Sequence, residues 1–212
     1  MLFAVNPLQA ILHFIERGGF VMWPLILMSI VALSVVIERA GFWYQLDARR
    51  GRRRFDRLAK AVQAGDEGRL SGLLDADPSP YAELARQLPI DHGAIDDTEA
   101  ALAAETVRPR LERGLLVLST IVTAAPMLGI LGTVVGIIQS FELLGGDATI
   151  TDPSQVSGGI AEALISTATG LVVALLALFP YMLFRSRQDR AFGRLEILAG
   201  LLMSASRRRS AR

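Results

Sequence analysis

Charge disappears from the chain three times. The runs Gly18–Ile37, Gly114–Phe141 and Ala163–Phe184 contain no Asp, Glu, Lys or Arg. A helix needs roughly 20 residues to cross about 30 Å of hydrocarbon, and each run is long enough. The pattern predicts an all-α integral membrane protein with transmembrane helices over 18–38, 114–141 and 160–184. At about 1.5 Å per residue the second run reaches about 42 Å, so its helix is expected to project beyond the bilayer core. Before the first run, Leu8, Ile11, Leu12 and Ile15 recur at helical spacing. They predict an external amphipathic helix over 1–17, lying on the membrane and broken by Gly18-Gly19. Pro24 falls in the first turn of the first span, where its missing N–H costs little. Trp23, Trp43 and Tyr44 suit the interfacial belts.

The segments between the spans are polar and helix-forming. Residues 39–113 predict a cytoplasmic domain of three or four helices, broken at Gly65, Gly68, Asp77-Pro78-Ser79-Pro80 and Pro89-Ile90-Asp91-His92-Gly93. Asp97 to Arg113 reads as one helix running into the second span, interrupted only by Pro109. Residues 142–159 carry the turn signals Gly145-Gly146-Asp147 and Asp152-Pro153 and form an external loop. The basic tail, 185–212, is expected to be helical to about Ser204 and unstructured through Arg207-Arg208-Arg209.

Orientation follows from the cations. Every Lys and Arg except Arg17 lies either between Arg39 and Arg113 or between Arg185 and Arg212. The positive-inside bias puts both blocks in the cytoplasm, and three spans then require an external N-terminus. The net charge of +1 hides this segregation. The Arg49–Arg57 cluster reads as a juxtamembrane run facing anionic lipid headgroups. Phe55 is the one aromatic among those arginines and no nucleic-acid motif accompanies them, so no nucleic-acid partner is expected.

Composition narrows the chemistry. With no cysteine there is no disulfide, thiolate metal site or thiol nucleophile, and His13 and His92 form no ligand pair at helical spacing. The length of the first run, and Glu38-Arg39 after it, read as a span and not a cleavable leader. The Gly129–Gly136 glycines lack the Gly-Lys-Ser/Thr ending of a phosphate loop and sit inside an apolar run. The expectation is a non-enzyme without metal or cofactor.

The second and third spans carry the remaining information. Ala125, Gly129, Gly132 and Gly136 recur at 4-3-4 spacing and set small residues on one stripe of the second span. Such stripes let helices approach closely in lipid. Pro126, Thr133 and Ser140 form a more polar stripe beside it, and Pro126 leaves the Val122 carbonyl without its helical donor. On the third span, Gly159, Ala163, Ser166, Gly170, Ala174 and Ala177 make a small-residue face. Glu162, Ser166 and Thr169 share a second face, and Thr167 points about 140° away from Glu162. Tight packing alone accounts for the small stripes. Glu162 reads equally as an interfacial carboxylate at a helix start and as a group near an ion path. Neither span has a charged residue deep in the membrane, so an ion path built here needs its titratable group from a partner.

These residues resemble the MotA/TolQ/ExbB proton-channel family, in its three-span ExbB and TolQ branch. The resemblance rests on the run Ala125-Pro126-Met127-Leu128-Gly129-Ile130-Leu131-Gly132-Thr133-Val134-Val135-Gly136, with Gly159-Ile160-Ala161-Glu162-Ala163-Leu164-Ile165-Ser166-Thr167-Ala168-Thr169-Gly170-Leu171 and Ile37-Glu38-Arg39. It implies a ring, a pentamer, whose second and third spans line a pore. Inside sits an ExbD- or TolR-like dimer of a single-span protein carrying a membrane aspartate, which drives a TonB- or TolA-like protein. It implies an ion pathway through Thr133, Thr167 and Glu162, with Pro126, Gly129, Gly132, Gly136 and Gly170 serving helix packing or a kink. The bacterial inner membrane is the implied location, with the N-terminus periplasmic and the C-terminus cytoplasmic. Where the family often has a proline six residues after its third-span glycine, this chain has Leu175-Leu176-Ala177, with Pro180 later. The implied output is biopolymer, TonB-dependent transport; the alternatives are Tol-Pal envelope maintenance, a motility stator and, in another class, a passive membrane scaffold. A self-sufficient transporter is disfavoured by the lack of an ionisable mid-membrane group.

Overall fold

A computed structural model of the chain describes residues 19–88, 94–145 and 153–210. The described residues are helical throughout apart from short connections, and the helices are α1 (Met22–Asp47), α2 (Arg49–Ala64), α3 (Glu67–Ala76), α4 (Pro80–Gln87), α5 (Asp97–Glu112), α6 (Leu115–Gly145) and α7 (Pro153–Ser210). The amphipathic helix expected over 1–17 and the break at Pro89–Gly93 lie outside the described residues. The loop expected over 142–159 is shorter than that: 142–145 are the end of α6 and 153–159 the start of α7, because both helices run on past their uncharged stretches, and only 146–152 lie outside the described residues. Three helices, α1, α6 and α7, are long and apolar enough to cross a membrane, with mean hydropathies of 2.0, 2.2 and 2.1 over their most apolar windows.

The chain divides into two compact units. One comprises Met1–Val36 and Val117–Tyr181, the other Ile37–Leu116 and Met182–Arg212. In the first unit, Val21, Met22, Leu25, Leu118, Ile121, Ala125, Ala163 and Ala177 are buried. Large apolar side chains such as Leu27, Ile30, Leu33, Met127, Leu164, Leu176 and Phe179 are exposed. Apolar exposure on that scale fits a lipid or partner surface and not water.

The second unit is stitched together by caps. Gly65 ends α2 in the left-handed conformation, at φ +69°, and donates its N–H back to the last turn. The Asp66 side chain then caps α3, accepting from the Arg69 N–H at 3.0 Å. Ser79 caps α4, with Pro80 in its first turn. Asp96 and Glu99 form a reciprocal capping box at the start of α5. Around these ends Trp43, Leu58, Val62, Tyr81, Leu84, Leu111, Leu195, Leu198 and Leu202 are buried. Burial pushes the Tyr81 phenol above its ordinary value, while the nearby Arg194 guanidinium pulls the other way.

Four further expectations need correction. Gly68 does not break the chain but lies inside α3. Pro109 does not interrupt α5, which runs through it to Glu112, although its missing N–H takes away the helical donor of the Glu105 carbonyl. The helix stops instead at Arg113-Gly114, with Gly114 at φ +76°, before α6 begins at Leu115. The tail is not unstructured after Ser204: α7 continues to Ser210, because Arg209 pairs with Glu67, Arg207 reaches Asp97, and Ser206 Oγ accepts the Ile95 N–H at 3.0 Å.

Arg39 organises the Arg113-Gly114 break. It is 3% exposed, and its guanidinium donates to the Arg110 carbonyl at 3.0 Å and to Glu38 at 3.2 Å, over the Phe42 ring. That carbonyl is one of those a helix end leaves without an internal donor, so a cation there serves as a cap. Glu38 also reaches Arg113 at 3.6 Å. Arg39→Met, which keeps most of the length but deletes the cap, is expected to cost about 1–2 kcal/mol. Arg108→Ala, which breaks exposed pairings with Glu105 and Glu112 and an exposed contact of the guanidinium with the Phe192 ring, should cost about 1 kcal/mol at most. Thermal unfolding followed by the buried Trp43 fluorescence checks the ordering; equal effects would remove the cap argument.

Candidate functional site in the paired spans

The small stripes of α6 and α7 meet each other inside one subunit. The register is antiparallel and can be read from what a side chain would strike at each glycine. At Gly170 a Cβ would come within 2.5 Å of the Ala125 carbonyl oxygen and 3.1 Å of Gly129 Cα. At Gly129 it would meet Thr167 Cα at 3.0 Å and the Ser166 carbonyl at 3.1 Å. Gly132 faces the Ser166 side chain, Gly136 faces Ala163 Cβ at 2.9 Å and the Gly159 carbonyl at 3.0 Å, and Gly159 faces Ser140. Backbone approaches backbone at Gly129, Gly136 and Gly170, and at Gly132 and Gly159 a serine side chain takes up the space, so a Cβ at any of the five would collide. Pro126 lies within α6, next to the Ala125 carbonyl that faces Gly170.

Hydroxyls fill the seam. Thr167 Oγ1 donates across to the Gly129 carbonyl at 2.8 Å. Ser166, 1% exposed, has its hydroxyl 2.8 Å from the Ala163 carbonyl and 3.3 Å from that of Gly129, and its single proton serves one at a time. Ser140, buried, donates to the Gly136 carbonyl at 2.8 Å and lies 3.4 Å from that of Val156. Thr169 donates within its own helix to Ile165. Thr133, half-buried, donates to the Ile130 carbonyl of its own helix at 2.6 Å.

The two threonines of the expected ion pathway therefore sit differently. Thr167 is a clasp between α6 and α7, whereas Thr133 makes its hydrogen bond within α6. Glu162, one turn before Ser166, lies against Gly19 at the start of α1. The same start is packed on the seam: Val21 Cβ is 3.4 Å from where a Gly132 side chain would begin, and Val21 and Met22 are buried. The contact between Glu162 and Gly19 was not foreseen from the sequence, although the Gly18-Gly19 pair marks the spot. Nor was the partner of the small stripe, because periodicity gives a face but not what covers it. Among the described residues no group of His, Cys, Asp or Glu is arranged to hold a metal ion.

Known proteins share this sequence. The biopolymer transport protein ExbB-like 3 of Synechocystis is 36% identical over 196 residues, covering 90% of this chain and 92% of that protein. The biopolymer transport protein exbB1 of Vibrio cholerae is 25% identical over 187 residues, covering 85% and 82%. The Tol-Pal system protein TolQ of Pseudomonas aeruginosa is 35% identical over 119 residues, covering 54% and 50%. The profile of the MotA/TolQ/ExbB proton channel family matches residues 77–197, a stretch that holds the entire α6–α7 seam and more than half of the chain. The chain belongs to the MotA/TolQ/ExbB proton channel family.

Proposed function

We propose that this chain is the channel subunit of an ExbB/TolQ-type motor in the bacterial inner membrane, with its N-terminus periplasmic and its C-terminus cytoplasmic. Copies form a ring, a pentamer, around a dimer of an ExbD/TolR-like single-span protein whose membrane aspartate takes up protons. Proton flow turns one component within the other and delivers work to a TonB- or TolA-like protein. Biopolymer transport is the preferred output, since the relative aligned over most of both chains is named an ExbB-like biopolymer transport protein.

The observation that carries this reading is the α6–α7 seam. It is rich in hydroxyls, yet Gly114–Phe141 and Ala163–Phe184 contain no Asp, Glu, His, Lys or Arg of their own. Hydroxyls can donate, accept and hold water beside a carboxylate, but they cannot store a proton at physiological pH. Such a pair suits a subunit that lines a path while its partner supplies the titrating group. Thr133 and Thr167 line that path in this reading, and Glu162 stands at its outer end.

The test is co-expression with candidate single-span, aspartate-bearing proteins, then mass measurement in mild detergent and proton uptake in proteoliposomes. A mass of five copies plus two partners, with uptake only when the partner is present, is expected. A complex that assembles and passes no protons under a membrane potential would leave a passive scaffold; a partner-free monomer or dimer would end the motor reading.

A further inference from the structure

Gly19 has a positive φ of +70° and closes a turn in which the Met22 N–H donates to its carbonyl at 3.1 Å. Directly over its Cα lies the Glu162 side chain of α7. A Cβ built on Gly19 would collide with Glu162 Oε1 and sit 2.8 Å from its Cδ and 3.3 Å from its Cγ. The carboxyl group therefore occupies the space that any other residue at position 19 would fill. Two further facts anchor the backbone on either side of this contact. The following residues, Val21 and Met22, are buried, and Val21 packs beside Gly132 on the α6–α7 seam. Glu162 itself is one helical turn from Ser166, which is 1% exposed in that seam. The N-terminal end of α1 also attracts a carboxylate, through the partial positive charge of a helix start.

We infer that Gly19 is a positioning residue for Glu162: its bare Cα face lets the carboxyl group rest on the turn that leads into α1 and so sets where the outer end of the ion path begins. This deepens the channel reading and rests on it, because it assigns α1 a part in a site otherwise built from α6 and α7.

The test uses the full chain in membrane vesicles and reads two quantities. One is the rate of carbodiimide coupling to Glu162, measured by mass spectrometry, which reports the surroundings of the carboxyl group with no assumption about conduction. The other is proton uptake by the assembled complex. Gly19→Ala is expected to change the coupling rate at least threefold and to lower uptake roughly tenfold, short of the roughly hundredfold that displacing a working group by about 1 Å can cost because the Glu162 side chain can give part of the way. The same substitution carries backbone strain at positive φ, and a cycle with Glu162→Asp separates the two effects. The shorter side chain vacates the space, so Gly19→Ala should cost little further uptake in the Glu162→Asp background, whereas strain alone costs the same in both. Should Gly19→Ala fail to assemble, recovery of assembly in the double variant supports the inference, and its failure there overturns it. Wild-type coupling and uptake in Gly19→Ala, or equal losses in both backgrounds, also overturn it. Full uptake by Glu162→Gln would remove Glu162 from the ion path but leave the coupling result standing, so the two failures are distinct.

Discussion

Gly170→Leu is expected to leave almost no folded protein in the membrane. The atoms a side chain would strike there are backbone: the Ala125 carbonyl at 2.5 Å and Gly129 Cα and N at 3.1 and 3.2 Å. Forcing extra methylenes into a well-packed core costs about 1–3 kcal/mol even where neighbouring side chains can yield. Backbone of a neighbouring helix cannot yield, so the helices must part, and the Thr167–Gly129 and Ser166–Gly129 contacts one turn away part with them. Several kcal/mol lost from a total of about 5–15 is enough to depopulate the native state. Gly193→Leu, on the same helix with nothing within 4 Å of the added Cβ, is the matched control and should be near neutral. Fluorescence-detected size exclusion after a heating series reads both. A Gly170→Leu protein as heat-stable as Gly193→Leu would mean that α6 and α7 do not approach as described. Gly132→Leu should fail too, although the atoms in the way there belong to a side chain: Ser166 of the same chain fills that space and is itself enclosed in the seam by its hydrogen bonds. Its loss of assembly would begin within the subunit and not between subunits.

The three spans were legible because charge is costly in hydrocarbon, so a membrane helix excludes it over roughly 20 residues where a helix in water has no reason to. The faces of α6 and α7 were legible from helical period alone. What covered them was not: Gly129, Gly132 and Gly136 suit a neighbouring subunit or their own chain equally well, and only the observed register, Gly129 on Thr167 and Gly136 on Ala163, decides for the latter. The breaks between residues 39 and 113 show the same limit. Gly65 was marked by its residue type, whereas the Asp96 cap, with Glu99 three positions on, is a local signal that the reading of the helix from Asp97 did not use. The stop at Gly114 depends on Arg39 reaching the Arg110 carbonyl across 71 positions, and the persistence of α7 to Ser210 depends on Glu67 and Asp97. Contacts of such separation leave no periodic trace. Thr133, Thr167 and Glu162 were named through the family resemblance, and what geometry adds is that they do not share one role: one hydroxyl ties two helices together, the other bonds within its own helix, and the carboxylate lies on α1.

That difference gives the second large effect. Thr133→Val and Thr167→Val keep side-chain shape and delete the hydroxyl, and each is expected to lower proton uptake at least tenfold, less than the roughly hundredfold that a positioned acid or base contributes because a hydroxyl only relays the proton. Their effects on the fold should differ. Thr133 gives up only its bond to Ile130, so Thr133→Val should assemble with wild-type heat stability. Thr167→Val loses a helix-to-helix bond, worth about 0.6 kcal/mol on average in membranes, so the complex should assemble but unfold slightly earlier. Thr167→Ser is the discriminating variant. It restores a donor to the Gly129 carbonyl, and with it an oxygen whose lone pairs stay free to accept from water or from a partner's carboxyl group. Uptake should return with it. If uptake recovers with the serine, the hydroxyl is what matters; if stability recovers without uptake, Thr167 is only a clasp. Wild-type uptake in both valine variants would remove the hydroxyls from the ion path. The α6–α7 seam would then be a packing device, and conduction would have to run along a surface that these two residues do not line.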